Sequence, residues 1–325
     1  MSQGDTIVSE QKQSNAVSIL SVLGALILWG SSFVAIKFAY TTYPPLTLAV
    51  ARFVVASLIL GALTLLPQNR VRLQKKDIFT VAICGLTGIM LYAVLQNIAM
   101  QWTSASSATL IIASYPIITL LMESVIYKKK LSAIKIVAIL IAIVGVVILS
   151  YVKSESRVEG ELLGIILLII AGVAWAVYNF MMKRVVNHYP PITLLFYTTL
   201  IGTIFLLPLA LLERAQWQQP TLLSFSMMMF LGVFCSVIAY LLYNRGLKTM
   251  APSTITSMLN LMPIIGVFFS WVLLGEQVTL RKIIGGAIVI FGVMLSVRKT
   301  KSDAIKETVA VEAAANAEAS THESA

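Results

Sequence analysis

Residues 43–48 read YPPLTL and residues 189–194 read YPPITL. The two hexapeptides belong to a longer series. Trp29, Lys37, Pro44, Pro45 and Thr47 recur as Trp175, Lys183, Pro190, Pro191 and Thr193, each 146 residues later. Further along, the offset is 147 and pairs Asn97 with Asn244, Pro116 with Pro263, Lys135 with Lys282 and Gly145 with Gly292. One inserted residue accounts for the step. A single hexapeptide can recur by chance, but a series sustained from Trp29 to Gly145 is a duplication.

The duplicated unit is built for a membrane. Of the 325 residues, 58% are hydrophobic and 12% charged, against roughly half and a quarter in a soluble domain. So few charges cannot cover so large an apolar surface, so lipid must be the solvent for much of it. Ten apolar runs are predicted as spans, over 18–39, 46–66, 78–100, 106–127, 133–151, 162–182, 192–212, 221–243, 253–274 and 283–297. A hydrocarbon core about 30 Å thick needs about 20 residues of helix, and these runs are about twice the length of barrel strands. A lipid-exposed strand edge would leave backbone groups unpaired, so helices are the expected form. The predicted fold is an all-α integral membrane protein with ten transmembrane helices in two five-helix repeats.

Five is odd, so the second repeat enters the membrane from the opposite side and the two must be inverted. That arrangement is found in many secondary transporters, with substrate bound near the midplane between the halves. The expected organisation is an N-terminal cytoplasmic tail (1–17), repeat 1 (18–151), an outer loop (152–161), repeat 2 (162–298) and a disordered cytoplasmic tail (299–325). The last segment is rich in Ala, Glu, Lys, Ser and Thr and cannot bury enough apolar surface to fold. The first apolar run could pass for a secretory signal, but its removal would orphan the partner run at 162–182.

The formal charge of +10 and pI of 9.6 come from basic residues between apolar runs. With the N-terminus inside, the cytoplasmic segments hold 17 Lys and Arg and the outer ones 6, Arg52 lying within a span. Both termini are therefore expected in the cytoplasm. The same placement accounts for the charge without nucleic acid, which would need a basic stripe on a soluble module. Cys84 and Cys235 sit inside apolar runs as small packing residues, and His188 and His322 are the only histidines, so no disulfide, metal or cofactor is expected. No P-loop, HExxH, EF-hand or GxSxG pattern occurs, which leaves an enzyme without a motif.

Several stretches carry a family resemblance: LILWGSSFVAIK (26–37), the Arg52 of VARF, SASSATLIIASYPIITLL (104–121) with its counterpart APSTITSMLNLMPIIGVF (251–268), and LLGEQVTLRKIIGGAIVIFGV (273–293). In these the chain resembles the EamA-like branch of the drug/metabolite transporter superfamily, over about residues 18–298. The resemblance implies ten helices in two inverted EamA repeats. It also implies export or exchange of small metabolites, often amino acids, across the bacterial plasma membrane. Lys129 aligns with Glu276, where such repeats often carry an acid in both halves, so a symmetric acidic pair is missing.

Candidate substrate-binding residues are polar or aromatic side chains at helical spacing within apolar runs. Tyr92 and Gln96 lie one turn apart with Asn97 alongside, Trp175 stands with Tyr178 and Asn179, and Ser253, Ser257 and Asn260 share a stripe. Polar side chains in a lipid-embedded helix prefer the protein interior. Trp29 joins the set as the equivalent of Trp175. The serines, Ser107 and Ser114 included, serve equally well as small packing residues. Arg52 is costly in a span, at about 2.5 to 3.5 kcal/mol on insertion scales; it either snorkels outward as a structural residue or meets a substrate carboxylate. The site is thus predicted from Trp29, Arg52, Tyr92, Gln96, Trp175, Asn179 and Asn260. The expected activity is secondary transport of small amphiphilic metabolites by a monomer in the bilayer, the alternative being a channel or membrane sensor on the same fold. No span carries an acid near its middle, so weak dependence on a pH gradient is expected.

Overall fold

The computed structural model describes residues 3–128, 131–150 and 160–297, with side chains over 16–128, 131–148 and 160–295. The predicted C-terminal tail, most of the predicted 152–161 loop and Lys129 lie outside the described residues. Among the described residues ten helical rods follow one another: α1 Gln3–Ala39, α2 Pro45–Thr64, α3 Lys75–Trp102, α4 Ala105–Ile126, α5 Ala133–Ser150, α6 Glu161–Val185, α7 Pro191–Leu211, α8 Leu222–Thr249, α9 Pro252–Leu274 and α10 Leu280–Val297. Among the described residues there is no strand. Eight of the rods are long and apolar enough to cross a membrane. The other two, α5 and α10, have 18 residues each, about 27 Å of helix, and pack on each other. The first helix starts at Gln3 rather than at 18, so the polar segment expected as a tail extends the helix.

The Pro-Pro pairs do the local work their positions suggest. Pro44 and Pro190 stand just before α2 and α7 in extended backbone, and Pro45 and Pro191 are the first helical residues, where a missing N–H costs nothing. Pro116 and Pro263 break their helices, as expected of proline inside a span. In α4 the break falls between Ile112 and Tyr115; in α9 it is a 3-10 turn at Met258–Leu261. Two further interruptions are matched across the repeat: π-helical segments at Gly85–Leu91 in α3 and Leu231–Ile238 in α8.

Symmetric side-chain caps confirm the duplication. Lys37 Nζ donates to the carbonyls of Met100 and Thr103 at the end of α3, and Lys183 Nζ donates to Leu247 and Met250 at the end of α8. Each lysine serves a helix C-terminus, where carbonyls lack intrahelical donors and the dipole favours a cation. Lys37 is therefore held by structure.

Apolar burial runs through the middle of the bundle, with Phe33, Leu48, Phe53, Ile89, Tyr115 and Tyr178 fully enclosed. The outer surface is apolar too. On α5, Ile134, Val137, Leu140, Val144 and Val147 are exposed, as a lipid-facing helix requires.

Candidate functional site

Both helix breaks border one narrow cavity between the halves. Trp29, Ser32 and Phe33 of α1, Arg52 of α2, and Tyr92 and Gln96 of α3 line it from repeat 1. Trp175 of α6, Tyr240 of α8, and Leu259 and Met262 at the α9 break face them from repeat 2. Ile112 and Tyr115, on either side of the α4 break, complete the wall. Bending α4 and α9 is thus what turns Ile112, Tyr115, Leu259 and Met262 toward the cavity. Among the described residues no carboxylate lines it.

The rings form a connected cage. Trp29 meets Trp175 edge-on at 5.4 Å and Tyr240 at 5.3 Å, and Tyr92 lies 5.1 Å from Trp175. Such pairs add about 0.5 to 1.5 kcal/mol beyond the area they bury. Two hydrogen bonds tie the cage to π-segment carbonyls of the opposite half: Trp29 Nε1 donates to Cys235 O and Tyr240 Oη donates to Gly88 O, both at 2.9 Å.

Arg52 is 5% exposed and does not snorkel. Its Nε donates to Ser236 Oγ at 2.9 Å, and its guanidinium carbon lies 4.9 Å from the centre of the Phe53 ring. Ser236 Oγ in turn donates to Leu231 O, five residues back in the π segment. Among the described residues no carboxylate pairs with Arg52, which lines the cavity.

Five of the seven predicted residues, Trp29, Arg52, Tyr92, Gln96 and Trp175, therefore meet on one wall system. Asn179 and Asn260 do not line it. Asn179 is fully buried, with Nδ2 turned to Trp175 O on its own helix. Asn260 sits in the 3-10 turn beside Leu259, its Oδ1 buried without a partner among the described residues. The serines take the packing role: Ser114 Oγ donates to Ile111 O and Ser257 Oγ to Ser253 O. Asn97 and Asn244 accept from Tyr40 and Tyr178, a structural use.

Sequence reasoning passed over Ser236, Tyr240 and Tyr243. They fall at i, i+4 and i+7 on α8, the same spacing criterion that picked out Trp175 and Asn179. Glu213 and Glu276 join the two repeats. Glu213 accepts from the N–H groups of Leu46 and Thr47, capping α2, and Glu276 accepts from those of Ala105 and Ser106, capping α4. Both carboxylates belong to repeat 2 and both helices to repeat 1, so the two halves are clamped at the α1–α2 face. Lys282 supports the second clamp from 3.8 Å, bonding Ser106 Oγ as well. On the opposite face, Tyr189 Oη donates to Asp77 Oδ2 at 2.7 Å, with His188 beside it.

Comparison with known proteins fits this architecture. An uncharacterized transporter of Archaeoglobus fulgidus is 28% identical over 271 residues, 83% of this chain and 95% of the relative. A probable terminal-alkyne amino-acid exporter of Streptantibioticus cattleyicolor is 28% identical over 289 residues, 89% of this chain and 95% of the relative. The uncharacterized transporter YetK of Bacillus subtilis is 26% identical, with 87% of each chain covered. A solved crystal structure superposes with a TM-score of 0.64 at 17% identity over 87% of this chain and 96% of that one, which shows the fold. The profile of the EamA-like transporter family matches residues 16–151 and 162–298, the same two halves that the internal offset delimits. This chain, with a repeat on each side of one aromatic cavity, belongs to the EamA-like transporter family.

Proposed function

We propose that this protein is a secondary transporter that moves small amphiphilic metabolites, amino acids or related compounds, across the plasma membrane by alternating access of its two repeats. The observation that carries this reading is Arg52, an enclosed cation without a carboxylate partner among the described residues, in a cavity whose walls come from both halves. Rings supply contact area for an apolar part, the guanidinium can take a carboxylate, and Gln96 offers both donor and acceptor. The amino-acid exporter among the relatives supports the same class.

Purified protein in liposomes should show saturable uptake stimulated by solute on the far side. Flux without saturation would indicate a channel, and no flux with any solute a sensor; either result would replace the transporter reading. In the same assay Trp175→Ala is expected to weaken apparent affinity about tenfold, the loss of one contact of about 1.4 kcal/mol, at unchanged protein level. Equal affinities for wild type and variant would reduce Trp175 to packing.

Among the described residues no carboxylate lines the cavity, and Glu213 and Glu276 are engaged at helix N-termini. We expect facilitated or exchange transport that depends weakly on a pH gradient; many-fold accumulation driven by such a gradient would contradict this. Orientation follows the positive-inside count. A single Cys introduced in the 70–76 loop, with Cys84 and Cys235 replaced, should be labelled only from the cytoplasmic side, and labelling from outside intact cells would reverse the topology.

A further inference from the structure

The turn after α2 presents two cations that no described side chain engages. Arg70 and Arg72 follow the 3-10 turn Pro67–Asn69 and both are exposed. Among the described residues neither guanidinium makes a hydrogen bond or an ion pair. The nearest carboxylate in sequence, Asp77, is taken by Tyr189 and His188. The repeat shows that the fold does not require these arginines. The 3-10 turn recurs 147 residues later as Arg214–Gln216, and the positions of Arg70 and Arg72 are there Trp217 and Gln219. Trp217, unlike Arg70, has a partner: its Nε1 donates to Thr47 Oγ1 at 2.9 Å.

Both arginines line a groove between the end of α2 and the start of α7, with Leu65 and Asn69 on one side and Phe196 and Tyr197 on the other. The groove is held from both halves. Asn69 is 5% exposed; its Nδ2 donates to Leu63 O at 3.0 Å, and its own carbonyl accepts from Thr193 Oγ1. Thr64, which also lines the groove, spends its hydroxyl on Gly61 O. These bonds leave the two guanidinium groups and the Tyr197 hydroxyl as the uncommitted side-chain donors among the described residues of the groove. Apolar surface continues from it along both helices. Leu58 and Leu65, seven residues apart on α2, are 69% and 76% exposed, and Ile204, eight residues beyond Phe196 on α7, is 53% exposed.

Cations at the head of an apolar track fit an amphiphile with an anionic head and acyl chains. Guanidinium groups take phosphate through paired, charge-assisted N–H bonds. A tyrosine at the membrane interface offers an O–H donor beside an apolar ring, and basic residues clustered next to a span attract anionic lipid. We propose that this groove binds an anionic phospholipid, its phosphate held by Arg70 and Arg72 with the Tyr197 hydroxyl beside them and its acyl chains over Leu65 and Phe196. A free phosphate would meet the same arginines but gain nothing from the apolar track, so the lipid is the better ligand. One wall of the groove belongs to each repeat, so the bound lipid bridges the two halves. The site needs only the bilayer and stands apart from the transport reading.

The test uses the full chain in dodecyl maltoside micelles, titrated with palmitoyl-oleoyl phosphatidylglycerol or with phosphatidylcholine of the same chains, and reads the melting temperature. Phosphatidylglycerol should raise it saturably in wild type and phosphatidylcholine should not. In the double variant Arg70→Gln/Arg72→Gln the midpoint of the titration should move to about 10- to 30-fold more lipid, and in Tyr197→Phe to about threefold more. Arg245→Gln/Lys248→Gln removes as much charge at the end of α8 and should respond as wild type does. An equal loss in that control would reduce the effect to net charge. Equal responses to the two lipids, or none to either, would leave no site for an anionic head, and an unchanged midpoint in the double variant would place the lipid elsewhere. Displacement by glycerophosphate at the concentration of the lipid would make the arginines a site for a free anion. Each of these results overturns the proposal. If the double variant does not fold, Arg72→Gln and Tyr197→Phe carry the test, and unchanged midpoints in both overturn it.

Discussion

Arg52→Gln should lower affinity for a carboxylate-bearing solute by about 10- to 100-fold while leaving the protein folded. A hydrogen bond to a charged group contributes about 1.5 to 3 kcal/mol, and each 1.4 kcal/mol is a factor of ten in affinity. The fold should tolerate the change for two reasons. Among the described residues no carboxylate is paired with Arg52, so none is left uncompensated. Ser236 Oγ keeps its bond to Leu231 O. Arg52→Lys keeps the charge but loses the planar fork and the reach of Nε to Ser236, so it should recover only part of the affinity. The comparison that isolates the interaction is L-phenylalanine against L-phenylalaninamide in the same proteins. The carboxamide should lose little on going from wild type to Arg52→Gln, because the interaction being removed was never made. If both solutes lose affinity alike, or if the variant fails to accumulate while Arg52→Lys is normal in every respect, Arg52 is a structural residue.

The distance between what the sequence disclosed and what the fold does with it is instructive at Arg52. Its place within a span is legible, and so is the choice between snorkelling and substrate. What holds Arg52 inward is Ser236, 184 residues away, presented by a π segment. The stretches GLTGIML and LGVFCSVI contain ordinary apolar residues with no proline, and nothing in their composition separates an i to i+5 ladder from an α-helix. The proline breaks, by contrast, were readable because a missing N–H acts locally. The clamps made by Glu213 and Glu276 were not legible, because a helix N-terminus from the other repeat leaves no mark in the sequence around its acidic partner. Asn179 was rightly placed among buried polar groups, yet it lies behind Trp175 and not on the cavity wall.

Gly292→Val should destabilise the protein without touching affinity, the opposite of Arg52→Gln. A Cβ added at Gly292 would stand 2.8 Å from both Ala138 O and Ala142 N, backbone atoms of α5 that cannot swing aside. The equivalent Gly145 meets Val289 N at 2.8 Å and Gly285 O at 2.9 Å on α10, so each of the paired helices has a glycine at its closest approach. Small residues let membrane helices pack backbone to backbone, and van der Waals contact is a main force holding them. Overpacking such a contact costs typically 1 to 3 kcal/mol, which for a chain of this size corresponds to a melting temperature lower by roughly 2 to 12 °C, taking about 2 to 4 °C per kcal/mol. Gly145→Val should behave alike, and the double variant should cost less than the sum of the two, because once the pair is forced apart the second clash is already relieved. Among the described residues neither α5 nor α10 contributes to the cavity wall. The fraction that remains folded should therefore bind solute with wild-type affinity, read in liposomes at matched protein level. A several-fold change in affinity at unchanged melting temperature would mean that the α5–α10 pair takes part in the movement of the halves and is more than a lipid-facing flank.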